Sequence, residues 1–328
     1  MKAWAIDQAG SLNELKWKEV EDAKGGADEL VVKVASAALN PIDYKVIKGG
    51  NANWTFPHVP GVDLAGEVVE VGQGVEGFRI GDRIACHTDL NRNGAFAEYA
   101  AVKALAAAKI PASVSYDKAA AVLCAGLTAY QAIVQKLNDV DKDTILIHAG
   151  AGGVGGFSIQ LAKELGLRVF TTASSVNHQW VKELGADVAI DYKKEDVTAR
   201  IMEMTNNEGV DLIFNTVSAE EATKDLDRLA FSGQLAYIAG KPDMSNIKPF
   251  TLAPSLHEVA LGAAYTSGSE RALRNLANMT TALLQRVKKG TLNPMISEVL
   301  TCSELPEGLE KLTGRHVSGK LVVHMQKE

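Results

Sequence analysis

The chain has 328 residues, of which 46% are hydrophobic and 23% charged, and its formal net charge is −6. This composition is ordinary for a globular protein and provides enough apolar material for about two domains. The net negative charge argues against nucleic acid or an anionic membrane as a partner, so we expect neither.

Features that bear on location favour the cytoplasm. Residues 1–8 mix charged and apolar types and do not have the pattern of a signal peptide. The most apolar stretch, residues 119–134, contains Gly126, Thr128 and Gln131 and predicts a buried helix rather than a membrane span. Three cysteines that lie far apart in the sequence indicate a reducing compartment. We therefore expect a cytoplasmic protein.

The first part of the chain, up to about residue 116, has the pattern of a β domain. Short apolar segments alternate with glycine-containing turns, and strands are predicted over residues 30–34, 68–72, 81–85 and 95–102. This arrangement predicts an irregular β-barrel or sandwich.

From Asp117 the pattern changes to alternating helices and strands. A long alanine-rich helix is predicted over residues 117–136, and Gly126 would allow it to kink. Six strands are then predicted, over residues 145–149, 169–173, 188–191, 210–215, 234–239 and 259–265. Six parallel strands connected by helices are typical of the doubly wound dinucleotide-binding fold.

The last part of the chain adds a further group of elements. A long helix is predicted from Gly268 to Lys289, and it is followed by a strand near Ile296. A short helix from Ser303 and a last strand over residues 320–324 complete the predicted elements.

The turn between the first two of the six strands carries the clearest functional signal. Gly150, Gly152 and Gly155 fit the pattern G-x-G-x-x-G, after a strand and at the start of a helix. We expect the first glycine to allow the sharp turn, the second to admit a pyrophosphate and the third to let helix and strand pack closely. The N–H groups of the helix N-terminus favour phosphate binding. The predicted cofactor-binding residues of this turn are Gly150, Ala151, Gly152, Gly153, Val154 and Gly155.

The residues after the second strand favour NADPH over NADH. An NAD site usually has an acidic residue about 20 positions past the first glycine, where it binds the ribose 2′-hydroxyl. Residues 171–175 read Thr-Thr-Ala-Ser-Ser instead, and the next acidic residue is Glu183. The hydroxyls of Ser174 and Ser175 can donate to a 2′-phosphate, and His178 can add positive charge. The alternative is that both serines only cap the following helix.

Several segments together resemble the medium-chain dehydrogenase/reductase superfamily, and above all its zinc-free branch of quinone oxidoreductases and enone (2-alkenal) reductases. The matching segments follow the order of the family and are NPIDYK at 40–45, PGVDLAGEV at 60–68, GDRI at 81–84, GAFAEY at 94–99, LTAY at 127–130, LGAD at 184–187 and GKLV at 319–322. The resemblance implies an α/β chain with a GroES-like β-barrel catalytic domain, residues 1–118 and 267–328, and a Rossmann NADP-binding domain, residues 119–266. It also implies a homodimer.

Zinc is not expected in this chain. In the zinc alcohol dehydrogenases of the superfamily, the three ligands stand where this chain has Asn40, Val62 and Cys124. One soft ligand cannot make a catalytic zinc site, which needs three protein ligands and a water. The remaining cysteines, Cys86 and Cys302, are too few for a structural four-cysteine site.

Without a metal, the resemblance implies hydride transfer from NADPH to a quinone ring or to the β-carbon of an enone. Negative charge then develops on the carbonyl oxygen, which needs a donor or a cation and finally a proton. We expect Lys45 to stabilise this charge or to bind the cofactor ribose, or else to be a solvated surface lysine. Tyr44 is expected to donate the proton or to have a packing role only. Asn40 is expected to bond the nicotinamide amide or the substrate oxygen.

The resemblance also implies cofactor contacts outside the glycine turn. They involve residues of the matching segments or of the carboxyl ends of later strands, namely Thr128, Tyr192, Thr216, Val217, Gly240 and Arg315. Packing in the core is the alternative for Tyr192, and a surface position is the alternative for Arg315. Val176 stands where close relatives often carry a basic residue, which counts against NADPH.

These observations predict an NADPH-dependent oxidoreductase that reduces quinones or α,β-unsaturated carbonyl compounds without zinc. The second hypothesis is metal-free reduction of simple aldehydes or ketones. It ranks lower because no ion is expected that could polarise the carbonyl group. A dinucleotide-binding protein without turnover is the third.

Overall fold

The computed structural model of this chain describes residues 1–314 and 317–326. The chain divides into two compact units. The first unit comprises residues 1–127 and 262–328, and the second comprises residues 128–261. The second unit is thus an insertion in the sequence of the first.

The strands are numbered in chain order. The described residues contain β1 (Lys2–Ala5), β2 (Lys16–Glu19), β3 (Glu29–Ala38), β4 (Asp63–Val71), β5 (Arg83–His87), β6 (Tyr99–Lys103), β7 (Ala108–Lys109), β8 (Thr144–Ile147), β9 (Arg168–Thr172), β10 (Val188–Ile190), β11 (Val210–Asn215), β12 (Leu229–Tyr237), β13 (Ser255–Glu258), β14 (Ile296–Leu300) and β15 (Lys320–His324).

The α-helices are numbered in the same way. They are α1 (Pro41–Gly49), α2 (Tyr116–Ala121), α3 (Cys124–Tyr130), α4 (Gly153–Glu164), α5 (His178–Glu183), α6 (Val197–Met204), α7 (Ala219–Lys224), α8 (Ala263–Thr266), α9 (Glu270–Lys289) and α10 (Leu305–Thr313). A π-helical segment, Gln131–Lys136, continues α3. Short 3-10 segments lie at Leu12–Glu14, Ala104–Ala106, Ser175–Asn177, Asp225–Asp227 and Cys302–Glu304. Among the helices of the described residues, none combines the length and the apolarity needed to cross a bilayer, and the compartment stays a prediction.

A mainly antiparallel seven-stranded sheet forms the centre of the first unit. Its strand order is β14-β15-β3-β4-β5-β7, with β6 paired to β3. Among the described strand pairs of this sheet, only the pair of β14 and β15 is parallel. Strand β3 lies at the centre because its sequence, ELVVKVASAA, is apolar on both faces and nearly all of it is buried. The predicted β domain is confirmed.

Helix α1 begins where β3 and its short connection end. Asn40 is its N-cap residue, in an extended conformation, and Pro41 occupies the first helical position, where the missing N–H costs nothing. The carboxylate of Asp43 accepts the N–H of Asn40 at 2.8 Å. The helix ends before Gly50, whose φ is 78°. These signals give α1 a defined start and carry Tyr44 and Lys45 on its second turn.

The second unit contains a six-stranded parallel sheet. Its strand order is β10-β9-β8-β11-β12-β13, and every neighbouring pair is parallel. Counted within the sheet this order is 3-2-1-4-5-6, the doubly wound order that the sequence predicts. All carboxyl ends of the strands therefore meet at one edge, and the strand order reverses between β8 and β11.

One face of this parallel sheet is covered by helices α6 and α7. The buried cluster on that face includes Leu146, Phe170, Ile213 and Leu235 from four strands, with Ile201 of α6 and Ala222 of α7. Burial of each large apolar side chain stabilises the fold by roughly 1.5–3 kcal/mol. This core holds the carboxyl ends of the strands in fixed positions.

Two predicted elements differ from the structure. The sixth strand is Ser255–Glu258 and not residues 259–265, because the edge position of β13 needs no apolar run while the Ala-rich segment that follows turns into α8. The predicted helix over residues 117–136 is three segments, with its break before Cys124 and not at Gly126. The reason for the break is that the N–H of Cys124 donates to the carboxylate of Asp63 at 3.0 Å.

Candidate active site

The turn between β8 and α4 bends at a residue with a left-handed backbone conformation. That residue is Ala149, whose φ is 53°. Its N–H donates to the hydroxyl of Thr172 at 3.0 Å, and the N–H of Gly150 donates to the carbonyl of Thr172 at 3.0 Å. The sharp bend expected at the first glycine therefore lies one residue earlier, and two bonds to the end of β9 hold it.

The three glycines of the motif have different surroundings. A Cβ on Gly150 would lie 2.1 Å from Thr171 Oγ1, and a Cβ on Gly155 would lie 2.3 Å from the carbonyl oxygen of Ala149. Gly150 is thus needed for the approach to β9, and Gly155 for the contact of helix and strand. A Cβ on Gly152 would meet no described atom closer than the Ala149 oxygen at 3.5 Å, which is an ordinary contact. Gly152 borders open space, as expected where a pyrophosphate approaches.

Helix α4 begins at this turn with uncapped backbone donors. Gly152 is its N-cap residue, and a glycine has no side chain that could accept the first N–H groups. The helix has 12 residues, enough for a partial positive charge at its N-terminus. Uncapped donors and this charge suit a phosphate group, so the geometry fits the predicted contacts of residues 150–155.

A buried polar network lies beneath the turn. His148 Nε2 is 2.8 Å from Asp225 Oδ1, and His148 Nδ1 is 3.3 Å from the hydroxyl of Thr172, which holds the turn. The amide of Asn215 donates to Asp225 Oδ2 at 2.7 Å. Burial by itself would raise the pKa of Asp225, but His148, Asn215 and Arg228 together hold that pKa below its ordinary value. The network fixes the residue that precedes the turn.

The same network contains a group of potential metal ligands. His148, Glu221 and Asp225 have ligand atoms within 4.8 Å of one another. The guanidinium of Arg228, which is only 4% exposed, donates to Glu221 at 2.5 Å and to Asp225 at 2.8 Å. A protein cation therefore already neutralises these carboxylates, and the group is a structural ion cluster.

The end of β9 presents the residues that the sequence links to the ribose. The hydroxyl and the N–H of Ser175 both donate to Asp191, which follows β10. His178 Nε2 lies 3.1 Å from the carbonyl oxygen of Ala173. The side chain of Ser174 accepts a bond from Asn177 at 3.3 Å. The described chain thus has no carboxylate on the segment directly after β9.

The remaining predicted contacts of the second unit lie near the same edge of the sheet, with one outside it. Thr216 and Val217 follow β11, and Val217 is 51% exposed. Gly240 follows β12 with a φ of 130°, and a Cβ there would lie 2.7 Å from the side chain of Ala219. Tyr192 follows β10 and is 54% exposed. The alternative prediction, that this side chain packs in the core, is therefore wrong. Thr128 is buried and lies in α3, which precedes the first strand of the parallel sheet.

In the first unit, the carboxylate of Asp63 is the centre of a buried polar cluster. It accepts bonds from the amide of Asn40 at 2.8 Å, from His87 Nδ1 at 2.9 Å and from the N–H of Cys124 at 3.0 Å. Lys320, which is only 4% exposed, donates its ammonium protons to Asn40 Oδ1 at 2.6 Å and to the carbonyl of Leu39 at 3.1 Å. Five separate segments of the chain therefore meet at this cluster.

The cluster changes what Asn40 can do. Its amide donates to Asp63 and to the carbonyl of Ala38, and its oxygen accepts the ammonium of Lys320. Both amide hydrogens are used within the protein, and the residue is only 2% exposed. Asn40 is therefore placed to fix the start of α1, rather than to donate to a substrate oxygen or a nicotinamide amide as predicted.

The other two predicted residues of α1 are more accessible. Tyr44 is half-buried, and the ammonium of Lys48 lies 5.7 Å from the centre of its ring. Lys45 is exposed and forms no ion pair within the described residues. An accessible ammonium can meet a bound anion or a developing negative charge, but a solvated role for Lys45 has the same geometry.

The positions that hold zinc in related enzymes do not fit a metal here. Val62 offers no donor atom, and the amide of Asn40 is committed to protein partners. Cys124 is the one thiol at these positions, and burial, followed by the charge of Asp63, raises its pKa well above its ordinary value. Zinc binds a thiolate and needs three protein ligands. The three positions therefore do not form a catalytic zinc site.

Sequence reasoning missed the residues that link distant segments. Lys320 belongs to the segment GKLV, and a lysine beside the strand residues Leu-Val-Val gives a weak signal of burial. His148 and Asp225 give no signal at all, because they are 77 positions apart. Arg315, which the resemblance assigns to the cofactor, lies outside the described residues.

Two family models match the chain. The model described as alcohol dehydrogenase GroES-like domain matches residues 26–112, and the one described as zinc-binding dehydrogenase matches residues 153–281. The first match lies in the first unit. The second match begins with α4, includes strands β9 to β13 of the parallel sheet and ends within α9.

Two solved structures are similar to nearly the whole chain, and a further relative is similar to part of it. The quinone oxidoreductase from Coxiella burnetii is 30% identical, covers 99% of both chains and has a TM-score of 0.83. A mycobacterial protein solved in complex with NADPH is 27% identical, with 99% of this chain and 100% of that chain covered and a TM-score of 0.85. The 2-methylene-furan-3-one reductase of Solanum lycopersicum is 38% identical over 60% of this chain and 53% of its own length.

Proposed function

Because the chain belongs to the quinone oxidoreductase and enone reductase branch of the medium-chain dehydrogenase/reductase superfamily, we propose that it reduces quinones or α,β-unsaturated carbonyl compounds with NADPH and without zinc. The chain is a nicotinamide-dependent oxidoreductase at the coarser level that its relatives share. The cofactor preference, the substrate class and the absence of zinc are our proposal.

The observation that carries the proposal is the open turn at Gly152. Gly150 and Gly155 are needed for packing, whereas the space beside Gly152 is free and borders the uncapped N-terminus of α4. This combination suits the pyrophosphate of a dinucleotide. We assign the pyrophosphate to the backbone of residues 150–155, and the remainder of the dinucleotide to the edge of the sheet that bears Tyr192, Thr216, Val217 and Gly240.

The preference for NADPH rests on the end of β9. An NAD site needs a carboxylate there that is free to accept the two ribose hydroxyls. The nearest candidate, Asp191, comes from the neighbouring strand and accepts the N–H and the hydroxyl of Ser175 and the N–H of Lys193. Its acceptors are largely occupied, which favours a cofactor that carries a phosphate at this position.

When bound, the reduced nicotinamide supplies a hydride to the electron-poor carbon of the substrate. The double-bond electrons then move to the carbonyl oxygen, and the exposed ammonium of Lys45 would stabilise the negative charge there. A proton from the hydroxyl of Tyr44, or from water, completes the reduced product. Asn40 would act indirectly, because its bonds to Asp63 and Lys320 fix the start of the helix that carries Tyr44 and Lys45.

The proposal is tested by following NADPH oxidation with a panel of quinones and a panel of enones. Turnover with either panel, with the C=C bond reduced in the enone products, supports it. Reduction only of C=O bonds in aldehydes and ketones would replace it with the second hypothesis, and nucleotide binding without turnover would replace it with the third. Elemental analysis of the active protein is expected to find far less than one zinc per chain.

We also propose a homodimer, in which the open edge of the parallel sheet takes part. Strand β13 pairs only with β12 among the described residues, so its outer edge has unpaired backbone groups. The mass of one chain is 34.9 kDa. Light scattering is expected to give about twice that mass, and a stable mass of one chain at micromolar concentration would contradict the dimer.

A further inference from the structure

A lysine that follows the neighbouring strand β10 contacts the segment directly after β9. Lys194 follows β10, and its ammonium donates to the hydroxyl oxygen of Ser175, after β9, at 2.8 Å. The side chain of Lys194 is 71% exposed, so the ammonium remains accessible to a ligand. Val176, the residue after Ser175, is 87% exposed and apolar, so it offers no charge to a ligand.

The hydrogen bonds of Ser175 settle which of its groups remain available. Its hydroxyl hydrogen is donated to Asp191, and its N–H goes to the same carboxylate at 3.0 Å. The hydroxyl oxygen accepts the ammonium of Lys194. Ser175 therefore has no hydrogen left for a phosphate, and its part in the structure is to hold Lys194.

The acidic residues nearby are engaged within the protein, and the carboxylate of Asp191 also lies 3.8 Å from the ammonium of Lys194. Asp191 is only 5% exposed at its side chain, and bonds from Ser175 and from the N–H of Lys193 lower its pKa. Glu195 accepts the N–H of Asp191 at 2.8 Å and lies 3.6 Å from Arg200. The accessible charge beside Ser175 is thus positive, and it belongs to Lys193 and Lys194.

We propose that Lys194 is the residue that selects the phosphorylated cofactor, by binding its 2′-phosphate. This inference rests on the proposed function, because it assigns one contact of the same dinucleotide site. A phosphate carries close to two negative charges and is bound well by a lysine ammonium acting as a point charge. Ser174, whose own hydroxyl hydrogen is not used by Asn177, would donate a second bond. NADH has a neutral hydroxyl in place of the phosphate, so Lys194 adds little to its binding.

Calorimetric titration of the full chain with NADPH and with NADH tests the assignment. For Lys194→Ala we expect NADPH affinity to fall at least about tenfold and NADH affinity to change less than about twofold. Lys194→Arg is expected to restore most of the NADPH affinity, because the charge is kept. Lys248→Ala is the control: Lys248 is also exposed, but it lies in the loop between β12 and β13 and not on the segments that follow β9 and β10.

The outcomes separate this inference from the function on which it depends. If the unaltered protein binds neither nucleotide, the proposed function fails. If it binds NADPH more tightly than NADH and Lys194→Ala keeps that preference, only the assignment of Lys194 is overturned. An equal loss for both nucleotides in Lys194→Ala also overturns it, because that result indicates damage to the fold.

Discussion

Lys320 donates a 2.6 Å hydrogen bond to the side-chain oxygen of Asn40, although the two residues lie 280 positions apart in the chain. The bond joins the start of β15 to the N-cap residue of α1. Asn40 passes the connection on to Asp63, which also binds His87 and the N–H of Cys124. One buried cation and one buried carboxylate therefore fix the N-terminus of α1, the helix that carries the proposed active-site residues.

We expect Lys320→Met to destabilise the protein by about 2–4 kcal/mol, because it removes the buried cation of the cluster and leaves the buried carboxylate of Asp63 without it. The free energy of unfolding in urea measures this loss. The control is Lys311→Met, which breaks the half-exposed pair of Lys311 and Glu298 and should cost less than about 1 kcal/mol. Equal effects of the two substitutions would show that the buried position of Lys320 contributes nothing special.

The buried carboxyl of Asp43 predicts a dependence of stability on pH. Burial, and then the charge of Asp63, raise the pKa of Asp43 to about 8 from an ordinary value of 3.8. Between these two values the folded protein holds a proton that the unfolded chain has lost, so stability falls as pH rises from about 4 to about 8. Asp43→Asn cannot ionise, and its stability relative to the original protein should rise by more than about 1 kcal/mol over that interval.

Urea unfolding of both proteins at several pH values checks this prediction. Asp82→Asn is a suitable control, because the pKa of Asp82 is lowered, first by its bond to Lys109. A lowered pKa contributes stability that is lost as pH falls, which is the opposite sign. A constant difference between Asp43→Asn and the original protein over the whole interval would contradict the raised pKa of Asp43.

The parallel sheet and its glycine turn were predictable because their signals are local. Apolar runs, helical periodicity and the spacing of Gly150, Gly152 and Gly155 all lie within single stretches of sequence. The sixth strand was predicted at the wrong residues because β13, with the sequence SLHE, is an edge strand with no apolar run. Edge strands are held by one neighbour and lack the composition of a buried strand.

The polar cluster of the first unit could not be predicted from the sequence. In the sequence, Lys320 is a charged residue at the start of a predicted strand, a place where a lysine is usually exposed. Only the pairing of β15 with β3 brings it next to Asn40. The same holds for the bond of Lys194 to Ser175, which depends on β9 and β10 being neighbours. Residue type was visible in both cases, but the partner was set by tertiary structure.

The contrast between Gly152 and Gly155 predicts two different kinds of damage. Gly152→Ala places a Cβ in ordinary contact, so we expect a change in stability below about 1 kcal/mol. The methyl group would, however, occupy the approach of the pyrophosphate, and affinity for NADPH should fall at least about tenfold. Thermal unfolding without ligand and calorimetry with NADPH measure the two effects.

Gly155→Ala is the matched variant for that experiment. Its Cβ would lie 2.3 Å from the carbonyl oxygen of Ala149, a backbone atom that cannot move aside easily. We expect a loss of about 1–3 kcal/mol in stability, as in other overpacked sites. If Gly152→Ala kept full affinity for NADPH, the pyrophosphate would have to lie elsewhere.

The exposed lysine on the second turn of α1 gives the most direct test of the proposed chemistry. Lys45→Ala should lower turnover or cofactor affinity at least about tenfold, equivalent to about 1.4 kcal/mol, because a cation near the developing negative charge is lost. Lys16→Ala is the control, since Lys16 is also exposed, forms no ion pair within the described residues and lies on β2, outside α1. Steady-state rates at varied NADPH and varied substrate separate an effect on turnover from an effect on cofactor binding. A lower rate at saturation assigns Lys45 to the reaction. A higher KM for NADPH assigns it to the cofactor ribose. Unchanged constants in Lys45→Ala would return Lys45 to the solvated surface and leave charge stabilisation to another donor.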